Sequence, residues 1–157
     1  MSNAKIRHWI YVAIGFLILC GIGFFLLLRE SKYSDASAPE LFAAHESEYQ
    51  EVVTYLRKKE IYTDVKAVPT IDNRYGIIPE DTEEYRAFYD AISRLMLEDV
   101  SEIVSTEECI QFRSPKSGGF LNQSYITFVY GDAPPMIGDA PRSEMAQKNW
   151  YYFLGKE

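Results

Sequence analysis

Twenty consecutive positions, Trp9 to Leu28, carry no charged side chain, and after them the spacing of apolar residues turns helical and then alternating. A helix of twenty residues rises about 30 Å, enough to cross the hydrocarbon core of a bilayer. A cleaved signal has a shorter apolar core, roughly 7–15 residues, followed by a small-residue site. Here the run passes straight into Arg29-Glu30, and Ala36-Ser37-Ala38 comes too late to serve as that site. Lipoprotein processing at Cys20 would want a small residue where Leu19 stands. The chain therefore divides into a short basic segment (1–8), a transmembrane anchor (9–28), a polar tether (29–38) and a domain (39–157).

Within the domain, Ser37-Ala-Pro-Glu40 opens a helix with a Ser cap, Pro in the first turn and Glu at the third helical position. Phe42, Tyr49, Val52, Val53 and Leu56 then keep helical spacing as far as Lys58-Lys59, whose charges suit a helix C-terminus. A second helix starts at Asp81, with Glu84 completing a capping pair and Tyr85, Phe88, Tyr89, Ile92, Leu95 and Met96 on its apolar face. Strands are expected at Ile61–Val68, Tyr75–Ile78, Val100–Ser105, Glu108–Arg113, Phe120–Tyr130 and Asn149–Leu154, with Ser114–Gly119 as a hairpin loop. The order gives an α+β fold: a single N-terminal transmembrane helix, then a small domain of two helices packed on a mainly antiparallel sheet. Its length suits one core and not two.

Gly131-Asp-Ala-Pro134 recurs as Gly138-Asp-Ala-Pro141. Proline and glycine at this density read as an extended surface loop, a place where function concentrates. Asp132 and Asp139 offer oxygens there, but too few for a calcium loop, so no metal and no cofactor is expected.

Charge narrows the partners. From Asp35 onward there are 22 Asp and Glu against 12 Lys and Arg. Such a domain is repelled by phosphate backbones, which argues against nucleic acid and points to a basic protein partner. The basic residues flanking the span nearly balance, but no Lys or Arg occurs from Tyr33 to Tyr55. The expected topology is single-pass in the cell membrane, N-terminus cytoplasmic and domain extracytoplasmic. Cys20 lies in the anchor and Cys109 stands alone beyond it, so the domain has no internal disulfide.

The chain is thin in catalytic chemistry. His45 is the single histidine after the anchor and sits on a helix face as a half-buried spacer; Cys109 alternates with apolar residues as a buried thiol. No nucleophile elbow or phosphate-binding glycine pattern occurs. The carboxylates Glu83-Glu84, Glu98-Asp99, Glu102 and Glu107-Glu108 are neighbours in sequence, which does not make them face one another. An enzyme is not expected. Aromatics are the richer signal, with ten Tyr and one Trp after residue 34. Alternation through the last strand divides Trp150 and Tyr152 from Tyr151 and Phe153, so one aromatic face is left for a partner. Trp150, Tyr151 and Tyr152, with Asp132 and Asp139, are the candidate binding residues.

The single anchor, the acidic α+β domain and the Asn149-Trp-Tyr-Tyr-Phe153 ending together resemble small membrane-anchored bacterial proteins, some of them immunity proteins of toxin–immunity systems. The resemblance implies a binder that neutralises a partner at the cell surface or in the periplasm. Two other readings stay open: a structural subunit of an envelope complex that uses its transmembrane helix, and an enzyme dependent on carboxylates or His45.

Overall fold

The structure, a computed structural model, describes residues 3–66, 82–119, 123–132 and 142–156. Helix α1 (Asn3–Leu28) is continuous, and its Tyr11–Leu28 stretch has a mean hydropathy of 2.6 with none of it buried by the rest of the chain. By length and composition it is able to cross a membrane.

Beyond it lies an α+β domain. Three helices, α2 (Ala38–Ala43), α3 (Glu46–Lys58) and α4 (Glu83–Glu98), accompany strands β1 (Thr63–Lys66), β2 (Glu102–Ser105), β3 (Cys109–Arg113), β4 (Ser124–Gly131), β5 (Arg142–Glu144) and β6 (Trp150–Lys156). The strands form one sheet in the order β1-β2-β3-β4-β6-β5, with every pairing antiparallel. The mainly antiparallel sheet expected from the alternating runs is present, and Ser114–Gly119 does join two paired strands, β3 and β4. The expected strand at Tyr75–Ile78 lies outside the described residues. Strand β5 was not expected, because Arg-Ser-Glu has no apolar alternation to announce it.

The single helix expected from Ser37 to Lys59 is two. Residue His45 leaves helical geometry at φ −132° and ψ 24°. A continuous helix would hold Phe42 and Tyr49, seven residues apart, on one face about 10 Å apart along the axis. The bend at His45 instead stacks their rings at 5.2 Å, nearly parallel. Nor does Ser37 cap α2: its hydroxyl donates to the Lys32 carbonyl at 3.0 Å and accepts from the Ser34 amide at 2.9 Å. The second helix starts one residue later than the expected opening at Asp81, which moves Glu84 off the capping-pair position. Thr82 is the cap, and its Oγ1 accepts the Tyr85 amide at 3.1 Å.

Helices α3 and α4 run antiparallel, tied near their ends by Lys58–Glu84 (2.8 Å) and Arg94–Glu48 (3.0 Å). Between them Tyr55 stacks on Phe88 at 4.2 Å. One face of the sheet meets these helices through a cross-strand row, Ile103–Phe112–Phe128–Tyr152, set by the register of β2, β3, β4 and β6. Phe42 and Tyr49 pack onto Phe112 and Phe128 of that row and, with Trp150, form a continuous aromatic core. On the opposite face Cys109, Val129 and Phe153 make a second, small buried cluster.

The polar segment after α1 is not a free tether. Gly119 donates its amide to the Arg29 carbonyl, Lys32 donates its amide to Ser117 Oγ at 3.2 Å, and the Ser31 and Ser124 hydroxyls bond each other. Tyr33 enters the core at 5 % exposure, and the Tyr152 hydroxyl donates to Asp35 Oδ1 at 3.2 Å. Residues 29–37 thus form a strap across the β3–β4 hairpin, fixing the end of α1 to one end of the domain.

Candidate interaction site

Strands β3 and β4 give the domain two ends. At one, Ser117, Gly119 and Ser124 hold the strap; at the other lie Cys109 and Gly131. The eight residues of β4 cover about 25 Å between them. The far end carries a cleft of about 350 Å³ lined by Arg57, Glu107, Glu108, Tyr130, Gly131 and Asp132. The tight turn from β2 to β3 presents both glutamates, with Thr106 closing it: its Oγ1 accepts the Cys109 amide at 3.1 Å. Arg57, at the end of α3, donates to the carbonyls of Thr106 and Glu107 at 3.0 and 2.7 Å. These carbonyls fix the guanidinium in place without cancelling its charge, so the cleft sets three carboxylates against one cation, beside a half-buried tyrosine.

The expected binding residues separate in this frame. Asp132 lines the cleft and accepts a hydrogen bond from Asn149 Nδ2 at 2.9 Å. That bond helps fix Asn149 at a φ of 66°, a left-handed conformation that asparagine adopts more readily than most residues with a side chain. Asp139 lies outside the described residues. Trp150 corrects the expectation of an exposed aromatic patch: it is 3 % exposed, and its ring meets Phe42 edge-on at 4.7 Å and Tyr130 at 5.3 Å. Tyr152 is buried beside it. Tyr151 is half-buried on the opposite face of the sheet, next to the buried Phe153. The division into two faces holds, but the Trp150 face is the one the helices cover.

Sequence reasoning did not find the cleft. Glu107 and Glu108 read only as solvated acids, and nothing in the sequence singles out Arg57; the turn that joins them is a product of folding. A second cleft of about 330 Å³ runs between α3 and α4, lined by Ser47, Glu48, Glu51, Ala87, Asp90, Ala91 and Arg94. Glu48 is held below the usual carboxylate range, first by the Ser47 hydroxyl at 2.8 Å and, against the opposing effect of burial, also by Arg94. A depressed carboxylate adds stability that is fully present above its unfolded value, near 4.3, and is lost as pH falls through the folded one. Ser47→Ala should lower stability at neutral pH and leave it nearly unchanged where Glu48 is protonated in both states, so that a denaturation series shows a flatter loss on acidification.

His45 sits near the strapped end, with Nε2 3.2 Å from both Glu98 Oε2 and Asp99 Oδ2. Lys32 reaches Asp99 Oδ1 at 3.1 Å. Partial burial lowers the Lys32 ammonium, but Asp99 and Tyr33 outweigh that and raise it above the ordinary lysine value. Two carboxylates at a helix C-terminus oppose the helix dipole; Lys32 and His45 are what make them tolerable there. Cys109 is a free, buried thiol near Thr106 Oγ1 and Gln111 Nε2. Among the described residues no group of three or more His, Cys, Asp or Glu side chains is arranged to hold a metal ion.

The chain matches no family model, and neither the curated proteins nor the solved structures contain a match to it. The class its own features define is an α+β domain with an antiparallel sheet behind a helix able to span a membrane.

Proposed function

We propose that this protein is a non-catalytic, membrane-anchored binding protein whose domain stands outside the cytoplasm and receives a basic protein partner, as an immunity protein would. The observation that carries the reading is the polarity of the domain. One end is strapped to α1, while the cleft with Glu107, Glu108 and Asp132 opens at the other. If α1 lies in the bilayer, that acidic end is the one an approaching protein meets first. Carboxylates around such a cleft steer a cationic partner and raise its association rate. The aromatic core holds the sheet that presents it.

The test is crosslinked capture by the full-length protein in its native membrane, with Glu107→Lys/Glu108→Lys as the variant. Both positions are exposed turn residues, so the thermal midpoint should hold. Capture of a basic exported protein should fall at least tenfold, in line with the few kcal/mol that close charge pairs contribute at interfaces. Capture that survives the charge reversal and follows α1 when it is moved to another domain would favour a structural subunit of an envelope complex.

A further inference from the structure

We propose that the strapped end of the domain is itself a lipid-binding surface: the hairpin at Lys116–Gly119, with Leu97 at the same end of the domain, lies in the headgroup layer of the membrane that α1 spans. This rests on the reading of α1 as an anchor.

The argument begins with how close two backbones come. The Gly119 amide donates to the carbonyl of Arg29, one residue past the end of α1. A Cβ at Gly119 would meet the Leu27 carbonyl and lie 2.6 Å from the Leu26 carbonyl. The hairpin backbone therefore touches the last turn of α1, with no space for a side chain between them. Twenty residues from Trp9 to Leu28 match a hydrocarbon core of about 30 Å, which puts Leu26 and Leu27 within a few ångströms of its edge. The headgroup layer beyond is about 5–7 Å thick on each side. Backbone in contact with Leu26 cannot clear that layer. It could do so if α1 slid outward by a turn, but Leu26, Leu27 and Leu28, which the domain leaves 56, 39 and 45 % exposed, would then face water.

The chemistry at this end fits the same occupant. The loop Ser114-Pro-Lys-Ser-Gly-Gly119 contains no acid in an otherwise acidic domain, and Lys116 is exposed within it. Arg29 and Lys32 stand at the same level, where lipid phosphates would lie. Leu97, two residues before the Asp99 that holds Lys32, is 77 % exposed, more than any other large apolar side chain described in the domain. An exposed aliphatic side chain suits the boundary between headgroups and acyl chains, and of the two acids that follow it Asp99 is paired with Lys32 and both lie within 3.2 Å of His45.

The experiment places an environment-sensitive fluorophore on full-length protein carrying Cys20→Ser, whose remaining Cys109 is buried. Separate samples carry Lys116→Cys, Leu97→Cys, Glu107→Cys at the far end or Ile18→Cys within the anchor. Each is reconstituted in vesicles of phosphatidylcholine with a minority of phosphatidylglycerol, containing lipids with a nitroxide on the headgroup or deep in the acyl chain. Headgroup nitroxide should quench positions 97 and 116 severalfold more than 107, while the deep nitroxide quenches 18. Gly119→Val, which forces the hairpin off α1, should bring 116 down to the level of 107 and leave 18 unchanged. Positions 97 and 116 quenched no more than 107, with 18 still quenched from the acyl chain, overturns the lipid contact alone. Loss of quenching at 18 overturns the anchor reading together with it.

Discussion

Trp150→Ala should cost about 3–5 kcal/mol of domain stability, the usual loss for truncating a buried large aromatic. The indole is 3 % exposed and meets Phe42, Tyr49, Phe112 and Tyr130 with ring centroids between 4.7 and 5.9 Å. Four partners held by four different elements cannot all close around the space it leaves. Domains of this size are stable by roughly 5–15 kcal/mol, so the variant should lose a large part of its population at elevated temperature. Urea denaturation of the full-length protein in detergent, followed by circular dichroism, would show the midpoint fall. The effect also sorts stability from binding. A surface hot spot would weaken capture of a partner while leaving the midpoint where it was; Trp150→Ala should move the midpoint first. An unchanged midpoint would mean that the indole is not part of the core.

Why Trp150 reads so differently from sequence and from structure is a matter of register. Alternation through Trp150–Leu154 separates two faces correctly, but nothing in those five residues says which face the helices will take. That choice is made across the sheet, where Phe128 pairs with Tyr152 and Tyr130 with Trp150. The elements that were legible had strong local signals: the uncharged run of α1, the capped and amphipathic α4, and the apolar strands β3, β4 and β6. The break at His45 was not, because no Gly or Pro marks it and Phe42 and Tyr49 share a face with or without the bend. What forces the bend is the ring stacking it permits, a tertiary effect. The strap was hidden for a similar reason. Its polar residues bond a hairpin more than eighty positions away, and polarity alone reads as a tether. In the acidic cleft, composition announced the charge, but only the β2–β3 turn and the end of β4 brought Glu107, Glu108 and Asp132 together.

The bend makes a second large effect predictable. Phe42→Ala should also cost about 3–5 kcal/mol, but through a different part of the domain. Phe42 and Ala38 are the two buried residues of α2, and Phe42 is fully buried against Tyr49, Phe128 and Trp150. Six residues are too few to hold a helix without tertiary support. Removing the ring should therefore free α2 before the sheet yields. Hydrogen exchange would show it first at the amides of Leu41 and Ala44, which bond the carbonyls of Ser37 and Glu40. The α4 amides should stay protected until global unfolding. His45 immediately follows α2, so its approach to Glu98 and Asp99 should loosen as well. Because Phe42 and Trp150 share one contact, the double variant should lose less than the sum of the two, by about 0.5–3 kcal/mol. Strict additivity, or exchange that rises equally in α2 and α4, would place Phe42 outside the aromatic core and remove the physical reason for the break at His45.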